Sequence, residues 1–126
     1  MNFRTPLARA RGLGSAKEGT GHWLAQRITA VALIPLTLWF AASVLVYMHA
    51  DYTTAVSWIH TPWTAVLLVL LVATVYWHAC LGLQVVIEDY VHDEWLKISA
   101  IVLIRFTSVI LAAAGIFVVL RVAFGG

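Results

Sequence analysis

Three stretches of this chain, roughly Ile28 to Met48, Trp63 to Ile87 and Leu96 to Phe124, are each apolar for long enough to cross a bilayer as a helix. The hydrocarbon layer is about 30 Å thick and asks for about 20 such residues. Inside it every backbone amide and carbonyl must be satisfied by the protein itself, so only helices and closed barrels span it. Of the 126 residues, 62% are hydrophobic and only 11% charged, against about half and a quarter in soluble domains. The sequence therefore predicts an all-α membrane protein of three transmembrane helices.

Charge placement orients it. Arg4, Arg9, Arg11, Lys17 and Arg27 crowd the N-terminal side, whereas the connection from His49 to Pro62 has Asp51 but no Lys or Arg. By the positive-inside rule the N terminus is cytoplasmic, helix two returns to the cytoplasm, and Gly125 and Gly126 lie on the far side. The second connection, Glu88 to Trp95, carries Glu88, Asp89, Asp93 and Glu94, but acidic residues weigh little in that rule. Residues 1–21 read as a cytoplasmic arm and 22–126 as the anchor. The span after the arm is too long for a signal-peptide core, so the arm is expected to be retained. Its glycines, Gly12, Gly14, Gly19 and Gly21, lack the spacing and preceding strand of a dinucleotide-binding turn. Thr20 is expected to cap helix one, and Pro35 to kink it. Tyr52, Trp58 and Trp63 at one boundary, with Trp23 and Trp95 at the other, read as interfacial anchors that pack. The lone Cys80 permits no intrachain disulfide and reads as a small buried hydrophobe.

Chemistry concentrates on helix two. His78 lies inside the apolar span, and on a helix Asp89 sits about 16 Å further along the axis and only about 20° off the same face. Ionisable groups in a membrane are costly and usually face a bundle interior. Taken alone, His78 has three roles open: a hydrogen bond to a neighbouring helix, haem ligation, or proton relay. Gly82, one turn on, leaves either a notch for a flat macrocycle or a site of close helix packing. His22, His49, His60 and His92 all fall at or beyond the span ends. A second axial ligand would therefore come from another polypeptide or from a second copy of this chain. Asp89 and Tyr90 suit a quinone, whose carbonyl oxygens take hydrogen bonds and whose reduction takes protons. They equally suit an aromatic anchor and a solvated carboxylate. Arg27 and Arg105 can each pair with a haem propionate, and Arg27 can instead reach the head groups. No zinc spacing, Ser-His-Asp set or phosphate loop is present, and no basic soluble face that would bind nucleic acid.

The run His78, Gly82, Gln84, Asp89-Tyr90, together with His22-Trp23, Arg27-Ile28-Thr29-Ala30 and the arm Arg11 to Thr20, resembles the D-type membrane-anchor family of bacterial succinate dehydrogenase, in its alphaproteobacterial branch. The resemblance covers the whole chain, but only the His78 to Tyr90 run is specific. It implies that a second, C-type anchor subunit joins this one in a helical bundle. Together they would hold one haem b and dock an iron-sulfur subunit and a flavoprotein in the bacterial inner membrane. It also implies that His78 is one axial ligand of the haem iron, that Arg27 lies near the propionates, and that Tyr90 and Asp89 serve ubiquinone. FAD and iron-sulfur clusters would belong to the partner subunits, since this chain has neither a flavin fold nor a cysteine cluster. His22 stands one residue closer to Arg27 than in that family, and Arg105 has no counterpart there. Two other readings remain: a structural or assembly anchor without haem, and the anchor of a quinol:fumarate reductase using the same residues.

Overall fold

The computed structural model describes residues 6–7 and 16–125, with no strand among them. Four helices make up nearly all of it: α1 (Ala16–Tyr47), α2 (Tyr52–His60), α3 (Pro62–Tyr90) and α4 (Glu94–Phe124). The segments Gly19–Tyr47, Pro62–Tyr90 and Glu94–Phe124 have mean hydropathies of 2.1, 2.2 and 2.4, and these are the three spans expected. At 29 residues, α3 extends about 44 Å, roughly 14 Å more than the hydrocarbon is thick. Its polar end from Glu88 to Tyr90 therefore reaches the head-group layer.

Two expectations are corrected. Helix one begins at Ala16, so Thr20 lies within it and caps nothing; helix-forming residues carry the turn structure past the polar boundary that a hydropathy count stops at. The first connection is not a plain loop, because it folds as α2. Asp51 caps that helix, its Oδ1 accepting the Thr54 amide at 2.9 Å, and Pro62 opens α3 at a position where a missing N–H costs nothing. Pro35 lies inside α1 as expected. Most of the arm, including Arg4, Arg9 and Arg11, lies outside the described residues.

Packing centres on α3. Its Thr64, Ala65, Leu68, Leu71 and Leu81 are buried, whereas α4 buries no residue and α1 contributes Thr29 and Ser43. Both α1 and α4 lean on α3, and they barely meet each other. Between α3 and α4 the approach is close at Gly115, where an added Cβ would come within 3.0 Å of Val72 Cγ1. Small residues permit such approaches in membranes, where there is no hydrophobic drive between helices.

The far end of the bundle is closed by α2. Trp58 stacks on Tyr47 at 5.1 Å and on Trp39 at 6.0 Å between ring centroids. His60 Nδ1 donates to the Ala123 carbonyl at 2.9 Å. At the other end α3 and α4 are joined by only Val91 to Asp93, and the Asp93 carboxylate caps α4 by accepting from the Trp95 amide at 3.0 Å and the Leu96 amide at 3.4 Å.

Candidate functional site

His78 and Thr29 meet across the α1–α3 contact. Thr29 is the most deeply buried polar residue described, only 2% exposed, and its Oγ1 lies 2.9 Å from His78 Nδ1. The same hydroxyl lies 2.7 Å from the Ala25 carbonyl oxygen and 3.1 Å from that of Gln26. Among the described residues, Nε2 of His78 has no hydrogen-bond partner. His78 stands twelve residues before the end of α3, so it is about 18 Å inside along the axis. The three roles left open for His78 thus gain one fixed point: Nδ1 is already engaged within the subunit.

Towards the end where α3 finishes, α1 and α3 part around a cleft of about 1000 Å³, lined by His22, Gln26, Arg27, Gln84, Glu88 and Arg105 among others. Arg27 lies with its guanidinium carbon 5.5 Å from the centre of the Trp23 ring. It forms no ion pair among the described residues. Nε2 of His22 and Oε1 of Gln26 are buried without partners among the described residues, a condition that costs about 1–3 kcal/mol per group in a closed interior. Gly82 lies against α1 at Gln26. An added Cβ there would meet Gln26 Nε2 at 3.8 Å, an ordinary van der Waals contact, so Gly82 is not a point of tight helix packing.

Arg105, left without a partner by the sequence, has one in the fold. Its Nη2 donates to Gln84 Oε1 at 2.8 Å, and Gln84 Nε2 donates to Glu88 Oε1 at 3.0 Å. The charge deep in α4 is thereby relayed along α3 to a carboxylate in the head-group layer. Arg105 also borders an apolar groove between α3 and α4, of about 420 Å³, with Tyr76, Cys80 and Ser108. Cys80 is half-buried there and free.

Asp89 and Tyr90 occupy the last turn of α3 and are exposed, Tyr90 at 78%. Neither makes a side-chain hydrogen bond to another described residue. The four residues singled out from the sequence therefore do not form one cluster: His78 is joined to Thr29, Arg27 belongs to the cleft above it, and Asp89 with Tyr90 stand apart at the surface. Thr29 and Gln84 are the members that sequence reading missed as side chains with a role. Among the described residues no group of three or more His, Cys, Asp or Glu side chains comes together to chelate a metal.

Comparison with known proteins fits this arrangement. The sequence model of the succinate dehydrogenase/fumarate reductase transmembrane subunit matches residues 1–122. The chain is 36% identical over 118 residues, 94% of each chain, to the succinate dehydrogenase hydrophobic membrane anchor subunit of Rickettsia bellii. It is 31% identical over 125 residues, 99% of this chain and 96% of the other, to the subunit of the same name from Paracoccus denitrificans. The succinate dehydrogenase membrane anchor subunit of Reclinomonas americana is 31% identical over 96 residues, 74% of this chain and 80% of its own. No solved structure matches the chain. With three apolar helices and a family match spanning nearly its whole length, the chain belongs to the succinate dehydrogenase/fumarate reductase transmembrane-subunit family, as a hydrophobic membrane anchor of succinate dehydrogenase.

Proposed function

We propose that this anchor co-ligates a haem b through His78 and lines a ubiquinone-reduction site with Asp89 and Tyr90, at the cytoplasmic side of a bacterial inner membrane. A C-type anchor subunit supplies the second axial ligand, and iron-sulfur and flavoprotein subunits carry the remaining redox centres. The observation that carries this reading is the state of His78: one ring nitrogen is engaged by a buried hydroxyl at 2.9 Å, and the other has no partner among the described residues.

The surroundings suit the group. Gly82 carries no side chain between α3 and Gln26 of α1, and Arg27, in no ion pair among the described residues, offers a guanidinium whose fork matches a propionate carboxylate. His22, with its buried unpartnered Nε2 in the same cleft, stands ready to donate to or accept from that edge. When bound, the haem supplies a one-electron centre. Tyr90 donates its phenolic proton to a quinone carbonyl oxygen, and Asp89 beside it passes protons from water. Their exposure on this chain suits a quinone that arrives through the bilayer and is enclosed by a second polypeptide. The N-terminal basic cluster supports a cytoplasmic side for this end, where an iron-sulfur subunit would deliver electrons by a short path.

The test is a reduced-minus-oxidised visible spectrum of the complex purified through a tag on this chain. A sharp b-type α band, with flavin and iron-sulfur subunits co-eluting, is expected, and His78→Ala removes it. An intact complex without that band would overturn haem ligation and leave a structural anchor. Tyr90→Phe keeps the band and slows ubiquinone reduction; unchanged quinone kinetics would take Tyr90 out of the site.

A further inference from the structure

We propose that Thr29 is the positioning residue of His78: its hydroxyl holds the imidazole in the tautomer protonated on Nδ1 and fixes the ring, so that Nε2 is the atom that presents a lone pair to a metal. The inference rests on the haem reading above and adds to it the atom that binds and the group that selects it.

A threonine hydroxyl has one proton and two lone pairs. Its oxygen lies 2.7 Å from the Ala25 carbonyl oxygen, a separation at which two oxygens need a proton between them. That proton belongs to Thr29, because a carbonyl has none. The hydroxyl is thus committed to its own helix, four residues back, as membrane threonines commonly are. Only a lone pair remains for His78, so at 2.9 Å the imidazole must be the donor. Nδ1 carries the hydrogen and Nε2 does not.

Burial makes the arrangement exclusive. Thr29 is 2% exposed, so no lipid or water competes for its lone pair. The pair also bridges α1 and α3, which ties the ring to the helix contact rather than to its own χ angles alone. Hydrogen bonds from a ligand's outer nitrogen raise the basicity of the nitrogen that binds. A more basic ligand favours the ferric over the ferrous haem, so Thr29 lowers the midpoint potential.

The experiment uses the whole complex and four chains: wild type, Thr29→Val, Thr29→Ser and His78→Ala. Valine keeps the shape and deletes the acceptor; serine keeps the acceptor. Thr29→Val is expected to retain the haem band while the reduced-to-oxidised ratio at a fixed potential rises about tenfold, equivalent to about 59 mV for one electron. Thr29→Ser is expected to return the wild-type potential. A wild-type potential in Thr29→Val, with His78→Ala devoid of haem, would overturn the role of Thr29 and leave the ligand assignment standing. Full haem in His78→Ala would instead overturn the ligand assignment beneath it. Should Thr29→Val not assemble, electron-nuclear double resonance of the oxidised wild-type complex with isotope-labelled histidine decides. An exchangeable proton on the outer nitrogen of His78 supports the proposal, and its absence overturns it.

Discussion

Replacing Gln84 with leucine is expected to destabilise the anchor through a residue it does not change. Arg105 donates to the Gln84 amide oxygen at 2.8 Å, and that is its one side-chain partner among the described residues. Leucine at 84 leaves the guanidinium with no acceptor on a lipid-facing or subunit-facing surface. Hydrogen bonds to charged groups contribute about 1.5–3 kcal/mol in soluble proteins, and interhelical ones in a bilayer average about 0.6 kcal/mol with a maximum near 1.7. Arg105 is exposed on this chain and long enough to bend towards the head groups, so the lower range applies: about 0.6–1.7 kcal/mol for Gln84→Leu. The same physics gives a sharper expectation for the pair. Removing both polar partners, as in Gln84→Leu with Arg105→Met, deletes the stranded charge together with the bond and returns stability to within about 0.5 kcal/mol of wild type. The assay is reversible unfolding of the complex by denaturing detergent in mixed micelles, read by release of this subunit, across the full double-mutant cycle. If the losses of the two single variants simply add in the double, the coupling is nil and Arg105 does not depend on Gln84.

Two further outcomes follow from the fold. Gly115→Leu drives a side chain into Val72, whose Cγ1 already lies 3.0 Å from the first added carbon; overpacking of this kind costs about 1–3 kcal/mol, and Val72→Ala in the same chain is expected to restore most of the detergent resistance lost. The Asp51 carboxyl is held below its ordinary value of 3.8 by hydrogen bonding to the Thr54 side chain and then to its backbone amide. A depressed folded value means that the cap's contribution is whole above the unfolded value and is lost as pH falls through the folded one, so the protection of the Thr54 amide, its exchange rate taken relative to an unstructured chain at the same pH, should be flat from pH 7 to about 5 and fall only in strong acid. Asp51→Ala should exchange fast at every pH, and a wild-type exchange rate in that variant would remove the cap.

The three spans were legible because a run of apolar residues long enough to cross a bilayer has few alternatives, and the structure has a helix over each of them. Their ends were not. Hydropathy stops where polar residues begin, at about Ile28, yet α1 reaches back to Ala16 because the head-group layer tolerates His22, Gln26 and Arg27 on a helix as readily as in a loop. The short α2 was hidden for a related reason: at nine residues it is below the length that periodicity resolves, though Asp51 three residues ahead of Thr54 and Pro62 beyond its end were signals available to capping rules. Within the candidate site, the face shared by His78 and Asp89 follows from a helix turning about 100° per residue, but the partners of His78 and Arg105 do not. Thr29 lies 49 residues from His78 and Gln84 lies 21 from Arg105. Each pairing depends on the vertical register between two helices, which a periodic pattern leaves undetermined.

That register has a consequence for how the subunit works, because the two ends of the bundle are finished differently. At the far end the chain closes itself: Trp58 stacks on α1, and His60 binds the last turn of α4 through Ala123. At the other end, His22 Nε2 and Gln26 Oε1 are buried without a partner among the described residues, Arg27 lies over the Trp23 ring, and α1 and α4 do not close over α3. A membrane protein does not leave polar atoms in this state within a finished core. His22, Gln26 and Arg27 all line the cleft that reaches Gln84 and Glu88, so the face awaiting completion lies on the α1–α3 side, where His78 meets Thr29. Changes at Trp58 or Gly115 should therefore loosen the anchor while leaving a haem spectrum intact in whatever complex still assembles, and changes at Arg27 or His22 should do the reverse. A Trp58→Ala complex that shifts the haem potential as far as Arg27→Gln does would show that the two ends are not independent.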